Sequence, residues 1–405
     1  MEYFNTEAEF RVLQTESGRR LLTEVAEVRE PCPADILRWR RSNSVEDVAA
    51  ACRLVLARRK GESKFSRAAE MWLDSQGVEQ ATDETVASYK AKRFRSVAGS
   101  QPVLDLCCGM GMDAIALAEA GIVTAVDRDL GKCRKAQWNA GVYGQAGRLL
   151  VVRSDAERYP EVGSRWVHID PDRRAVVNTG GRRASSVADY CPGLPFLRSL
   201  ITTANGGAIK LGPASDFSSH FDDLDLEIEI ISLKGECKEA TVWFGPLATC
   251  QRRATILPSG ATWSDRHGLS TGAAPIAEPE EWIFTPDPAL IRAGLVDGFA
   301  LAHGLCRLAH QVDWLTGAEV QSPFLARYRV LAKSTLDFKR LRRECQALGV
   351  FPETIRVRGL DLSPELVRQR MGSRSGRAVT LLLYAPRGGQ GKSQAILADR
   401  LRETG

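Results

Sequence analysis

Val103-Leu104-Asp105-Leu106-Cys107-Cys108-Gly109-Met110-Gly111 joins a short apolar run to a loop of small residues. The run predicts a strand, and Ala114 to Ala120 predicts a helix, so the glycines fall in a strand-to-helix turn. Glycine lets the backbone turn sharply and lets a ligand approach without meeting a Cβ. The helix start beyond offers unpaired N–H groups. Asp105, inside the strand, is the distinguishing residue. A carboxylate there accepts a hydrogen bond from a ligand amino group, directly or through water. Dinucleotide sites place pyrophosphate near this point, where a carboxylate repels it. Ala114 stands at the third glycine of Gly-x-Gly-x-x-Gly, a permitted variant.

Outward from this loop, strands and helices alternate. Ile122 to Val126 predicts a second strand ending at Asp127, and Asp129 caps a helix running to about Tyr143. Leu149 to Val152 and Trp166 to Ile169 predict the third and fourth strands. Leu194 to Thr203 predicts a helix. Ala208 to Leu211 predicts a fifth strand after a Gly206-Gly207 turn. Such alternation specifies a parallel sheet with helices on both faces. Leu226 to Leu233 and Ala240 to Phe244 then follow with only a short turn near Gly235 between them, so they pair as an antiparallel hairpin. A plain nucleotide-binding α/β domain more often continues its helical crossovers.

Carboxylates recur where these strands end. Asp127 is placed to bind both ribose hydroxyls of a nucleoside, a role NAD would use equally. Asp155, after the third strand, is placed to accept from an adenine amino group; the alternative for each is a turn or cap residue. The fourth strand ends in His168-Ile169-Asp170-Pro171-Asp172-Arg173-Arg174. Arg173 or Arg174 has the chemistry to stack on a base or bind phosphate, the alternative being a capped loop with surface arginines. Lys210 ends the fifth strand and Glu239 begins the last. Each either lines a substrate cleft or makes a salt bridge at the edge of the core. Gly388-Gly389-Gln390-Gly391-Lys392-Ser393 is like a phosphate-binding loop, but Pro386 stands where its first glycine belongs. It also follows the last predicted strand, with no sheet left to complete.

The chain's 405 residues exceed one hydrophobic core, so two or three domains are expected. Residues 1–96 read as a helical domain, with apolar residues at helical spacing in Ala34-Ile36-Leu37-Trp39 and Val48-Ala51-Cys52-Leu54-Val55. Residues 258–320 read as a linker and a helix: Pro258 to Asp287 is rich in Pro, Gly and Ala, and Pro288 to Leu315 reads as helical. Residues 321–405 alternate again, with strands at Arg327–Leu331, Thr354–Arg358 and Ala378–Tyr384 and helices at Phe338–Gly349 and Ser363–Gly372. The ten cysteines form no Cys-x-x-Cys pair, so reduced thiols and no metal site are expected. His303 and His310, seven apart on one predicted helix face, read as core or surface residues. No apolar run reaches membrane-spanning length. Met1-Glu2-Tyr3-Phe4-Asn5 lacks a basic start and an apolar core, so no signal peptide, no membrane and a cytoplasmic location are expected. Charge is uneven. Gln321 to Gly405 carries 17 Lys and Arg against 7 Asp and Glu, a net of +10, while the rest carries 38 against 43, a net of −5. A basic excess in one segment points to a polyanionic partner such as nucleic acid, or to a solvated basic surface.

Together these residues resemble the class I S-adenosylmethionine-dependent methyltransferases with a C-terminal THUMP-like domain. The resemblance covers most of the chain. It is carried by Val103 to Gly111, Asp170 to Arg174, the Leu226 to Gly245 hairpin, Pro288 to Leu295, Phe338-Lys339-Arg340-Leu341-Arg342 and Arg356-Val357-Arg358-Gly359. It implies an α/β fold: a Rossmann-like seven-stranded sheet over residues 97–257, an N-terminal helical domain and a small C-terminal α+β THUMP-like domain. It implies S-adenosylmethionine as cofactor, held by Asp105, Cys107, Gly109, Gly111, Asp127 and Asp155. The family normally has glycine at Cys107. Asp170-Pro171 is similar to the Asp-Pro-Pro-aromatic motif of amino-directed nucleic-acid methyltransferases. There the first side chain accepts from the target amine and the aromatic ring stacks on the base. Here Asp172 and Arg173 replace proline and aromatic. The resemblance thus makes Asp170, Pro171 and Arg173 catalytic candidates. THUMP domains bind RNA, so the implied substrate is structured RNA, a tRNA or rRNA base, contacted by Arg174, Lys210, Lys339, Arg340 and Arg342. The alternatives are a methyltransferase of a small molecule or protein, and a non-catalytic cofactor-binding protein that binds RNA. An NAD-dependent enzyme is disfavoured by Asp105 and the closing hairpin.

Overall fold

A computed structural model describes residues 2–160, 165–173, 185–186, 190–213, 215–216, 221, 223–267, 272–372, 375–386 and 392–401, and every structural statement below concerns these. The chain forms two compact units. One comprises Met1–Leu226 with Thr241–Thr249; the other comprises Glu227–Ala240 with Cys250–Gly405.

The first unit opens with six helices: α1 (Glu2–Gln14), α2 (Glu16–Glu27), α3 (Pro33–Trp39), α4 (Val45–Gly61), α5 (Ser75–Gln80) and α6 (Glu84–Ala98). Pro33 sits in the first turn of α3, where its missing N–H costs nothing. Val12, Leu21, Leu22, Val25, Leu54 and Trp72 share one buried cluster. Then come β1 (Val103–Leu106), α7 (Met112–Ala118), β2 (Val123–Asp127), α8 (Leu130–Val142), β3 (Leu149–Arg153), β4 (Trp166–Ile169), α9 (Leu194–Thr203) and β5 (Gly206–Leu211). The strands lie in the order β5-β4-β1-β2-β3, and all the pairs among them are parallel. Asp129 caps α8 by accepting from Lys132 N at 2.8 Å. The expected Gly206-Gly207 turn is instead part of β5. A Cβ on Gly207 would lie 2.1 Å from Val167 O, so glycine there is set by strand-to-strand packing.

Next come β6 (Leu226–Leu233) and β7 (Glu236–Phe244), which are neighbours in the sheet. Lys234 and Gly235 both have positive φ (53° and 80°), the backbone of a two-residue hairpin turn. The last residues of β7, Thr241–Phe244, belong with the first unit, where β7 neighbours β5. In the second unit two further strands, β8 (Arg252–Leu257) and β9 (Ala261–Ser264), continue beyond β6, β8 parallel to it and β9 antiparallel to β8.

The stretch expected as linker and helix is largely folded. It holds β9, β10 (Trp282–Pro286), α10 (Pro288–Arg292), α11 (Val296–Ala302), β11 (Cys306–Ala309) and β12 (Val312–Gly317). The single helix expected over Pro288 to Leu315 is broken at Gly294 and Gly304, whose φ of 71° and 66° end α10 and α11. Then follow β13 (Leu325–Thr335), α12 (Phe338–Leu348), β14 (Val350–Arg358), α13 (Pro364–Met371), β15 (Arg377–Tyr384) and β16 (Gln394–Arg400). These strands form a second sheet in the order β11-β12-β10-β13-β16-β15-β14. β16 corrects the expectation that no sheet remained after β15: its Ala395-Ile396-Leu397-Ala398 run is buried between β13 and β15. The glycine-rich residues 388–391 lie outside the described residues.

Candidate functional site

The loop after β1 has the backbone that its glycines predict. Gly109 and Gly111 have φ of 55° and 87°. A Cβ on Gly109 would meet nothing within 4 Å, whereas one on Gly111 would lie 3.0 Å from Ala136 Cβ of α8. Gly109 therefore faces open space and Gly111 seats α8. Cys107 also has positive φ, 58°, a conformation that L side chains avoid. This is the physical reason for glycine at that place. Asn139 of α8, fully buried, ties the loop down. Its amide donates to Met110 O at 3.1 Å, and its carbonyl accepts from Trp72 N at 2.8 Å.

The loop borders a cavity of about 370 Å³, within the size range of small-molecule sites. Its lining includes Cys107 to Met110, Met112, Asp113, Asp170 and Asp172. Residues before β1 complete it, among them Thr6, Glu9, Arg53, Asp74, Gln76 and Thr82. A smaller cavity of about 50 Å³ shares Cys107 and Asp172 with it and is lined also by Asp127, Arg128, Ser154, Asp155 and Pro192. The two meet at Cys107 and Asp172.

Asp127 is 5% exposed. Its Oδ2 accepts from Gly109 N at 3.0 Å and its Oδ1 from Asp129 N at 2.9 Å. Burial pushes its pKa up against these two backbone donors. About two of the four acceptor positions of a carboxylate remain, enough for a pair of hydroxyls. Asp155 is exposed and caps a short turn, accepting from Glu157 N at 2.9 Å.

Asp105 does not line either cavity. It is 1% exposed, and its Oδ1 lies 2.6 Å from His168 Nδ1 on β4, while Oδ2 has no hydrogen-bond partner. His168 Nε2 lies 3.3 Å from Lys90 Nζ. An ammonium only donates, so Nε2 accepts and the ring proton sits on Nδ1, facing Asp105. Lys90, itself 1% exposed, also lies 2.8 Å from Asp113 Oδ1, and Thr82 Oγ1 donates to Asp113 Oδ2 at 2.6 Å. Burial alone would raise the Asp113 pKa. Lys90 foremost, with Lys210, outweighs it and holds the carboxyl well below the usual range. Burial pushes the Asp105 pKa up despite His168.

Asp170 ends β4 on the wall of the large cavity, its Oδ2 2.7 Å from Lys210 Nζ. Burial raises its pKa, with Lys210 opposing. Lys210 is thus engaged with Asp170, and also donates to Gln80 O at 3.3 Å. Asp172 lies 3.5 Å from Lys132 Nζ. Pro171 is buried beside Asp170. Arg173 pairs with Tyr190 through its backbone, and Arg174 lies outside the described residues. Glu239 is buried in β7 and lines neither cavity. Lys339, Arg340 and Arg342 are exposed on α12 in the second unit. Sequence reasoning missed Lys90, Asp113, Asn139, His168 and Thr82. The one local signal was Asp113, a carboxylate two residues past Gly111 in an otherwise apolar helix.

The pieces suit S-adenosylmethionine: a carboxylate with spare acceptor positions at the end of β2, a Cβ-free approach at Gly109, and contiguous cavities on either side of Cys107. Comparisons with known proteins agree. Residues 100–183 match the family model for RNA cap guanine-N2 methyltransferase, and residues 325–400 the model for THUMP domain-like. Over 319 residues the chain is 33% identical to uncharacterized S-adenosylmethionine-dependent methyltransferases of Mycobacterium tuberculosis strains CDC 1551 and H37Rv, covering 77% of this chain and 84% of theirs. A solved Porphyromonas gingivalis W83 structure, assigned as a methyltransferase, shares the fold with a TM-score of 0.77 at 20% identity, covering 95% of this chain and 99% of that one. With the glycine loop, the strand order and this relatedness in agreement, the chain belongs to the S-adenosylmethionine-dependent methyltransferases.

Proposed function

We propose that this enzyme methylates structured RNA, at an exocyclic amine or a hydroxyl of a tRNA or rRNA nucleotide. The observation that carries the reading is the pairing in one chain of the cofactor cavity with a basic THUMP-like segment. A net charge of +10 over Gln321–Gly405 suits phosphate contact that is salt-sensitive and largely independent of sequence. The match of residues 100–183 to a guanine-N2 methyltransferase model favours an amine as acceptor.

In this reading the adenosine lies over the smaller cavity, with Asp127 on the ribose hydroxyls and Asp155 on the adenine amine. Cys107, Gly109 and Gly111 line the path to the larger cavity, which takes the rest of the cofactor. The cofactor supplies a methyl group already activated on a sulfonium sulfur. The protein's task is then mostly positioning. Asp170 accepts from the target N–H or O–H and holds its proton, while Lys210 holds the carboxyl in place and opposes the rise in its pKa. Pro171 and Arg173 are the other catalytic candidates beside Asp170. Arg174 with Lys339, Arg340 and Arg342 contacts the RNA. Asp105 steadies His168 and Lys90 behind the wall and does not itself touch the cofactor.

The test is transfer of radiolabelled methyl to total RNA from a strain lacking the gene. Transfer should occur with the wild type and vanish with Asp170→Ala, while calorimetry shows cofactor binding intact. Absence of any salt-dependent RNA binding in gel shifts at two ionic strengths would overturn the RNA reading and leave a transferase acting on a small molecule or protein.

A further inference from the structure

Once Asp105 is committed to His168, the cavity needs another acceptor for a cationic amine. The carboxylates on its wall differ in what they already do. Glu9 accepts from Trp72 Nε1 and pairs with Arg53. Asp74 pairs with Lys135 and caps Gly77 N at 2.7 Å. Asp129 caps α8, Asp170 pairs with Lys210, and Asp172 lies 3.5 Å from Lys132 Nζ.

Asp113 is different in its support. It is 8% exposed, reaches the cavity directly after the glycine loop, and is fixed from behind by two separate elements. Thr82, between α5 and α6, orients one oxygen, and Lys90 of α6 faces the other. Lys90 is in turn backed by His168 and Asp105. This four-residue chain favours the ionised Asp113 carboxylate in a buried place and fixes its orientation. Oδ1 is closed off beside Lys90, so the acceptor position left for a group in the cavity is on Oδ2, next to the bond from Thr82.

We infer that Asp113, held by Thr82 and Lys90, is the acceptor for the α-ammonium group of the cofactor's amino-acid end. Lys90 and His168 are positioning residues: they touch Asp113 and each other. The inference rests on the cofactor placement proposed above.

The test is calorimetry with two probes: S-adenosylhomocysteine, and its analogue with hydrogen in place of the α-amino group. Wild-type protein should bind the deaminated analogue about tenfold or more weakly, the size of a lost charge-assisted hydrogen bond. In Asp113→Asn the homocysteine compound should weaken by a similar factor and the gap between the probes should close. Equal binding of both probes by the wild type, or a gap that persists in Asp113→Asn, overturns the inference. Should Asp113→Asn not fold, Thr82→Val keeps the charge, removes the orienting bond, and should narrow the same gap; an unchanged gap overturns it. Asp127→Asn separates the two levels. Binding insensitive to both Asp127→Asn and Asp113→Asn overturns the cofactor placement itself. Sensitivity to Asp127→Asn alone overturns only the role of Asp113.

Discussion

Cys107 holds a backbone conformation that glycine adopts freely and cysteine does not. Its φ of 58° makes it one of two non-glycine residues with positive φ among those described. The strain of such a position is roughly 1–2 kcal/mol, partly offset by the greater chain entropy of glycine when unfolded. Cys107→Gly should therefore stabilise the protein by up to about 1 kcal/mol in chemical denaturation. A loss of stability would mean that thiol packing outweighs the strain. Burial also pushes the Cys107 thiol well above its ordinary pKa, with Asp127 and Asp170 adding to the effect, so it is a poor nucleophile. A second residue-scale expectation concerns Asp170. Burial raises its pKa and Lys210 opposes that rise. Lys210→Met removes the opposing charge, so Asp170 ionises only at higher pH. The acid limb of the methyl-transfer rate should move to higher pH, while Lys210→Arg should leave it near the wild-type position. An acid limb indifferent to Lys210→Met would detach Asp170 from the rate. The sequence showed Asp105 as a strand carboxylate but not where it points. Its partner His168 is 63 residues away and becomes a neighbour only through the β1–β4 pairing.

Among elements, the glycine loop and α8 bear on each other through the Asn139–Met110 hydrogen bond and the close approach of Gly111 to Ala136. A Cβ on Gly111 would strike Ala136, but one on Gly109 would meet nothing. Gly111→Ala should cost stability through both strain and clash, about 2–4 kcal/mol. Gly109→Ala should cost only the strain yet weaken cofactor binding. Equal melting temperatures for the two variants would refute the contrast. Alternating apolar runs made β1 to β7 legible, with ends within a few residues except at the start of β7. Asp129 was legible as a helix start because capping chemistry is local. The strands β8 to β12 were not legible. They are four to six residues long, and proline or glycine lies close to each, as it does to loops. β16 was hidden because its run Ala395-Ile396-Leu397-Ala398 follows a glycine-rich stretch and has no alternation; it is buried, as a strand paired on both sides often is.

At the scale of the whole molecule, the expected behaviour is electrostatic. Lys339, Arg340 and Arg342 lie exposed on α12, so their joint replacement by alanine should weaken RNA binding at low salt. It should flatten the plot of log affinity against log salt by about 2–3 units of slope if all three contact phosphates. Filter binding over a salt series measures this; an unchanged slope places the RNA elsewhere. Texture and charge divide the sequence into residues 1–96, 97–257, 258–320 and 321–405, whereas the structure has two compact units. The boundary between them was not legible, because the chain does not change units once. It leaves the first unit after Leu226, returns at Thr241 and leaves again after Thr249.

That path bears on how such a protein is inherited. Modules strung end to end can be traded by a single recombination between genes. Here the hairpin β6–β7 is divided, its turn assigned to one unit and the end of β7 to the other. A single crossover that replaced everything after Thr249 would leave Glu227–Ala240 without the unit to which it belongs. An exchange that keeps both units whole must carry both pieces, so the two units are expected to descend together, as one unit of inheritance.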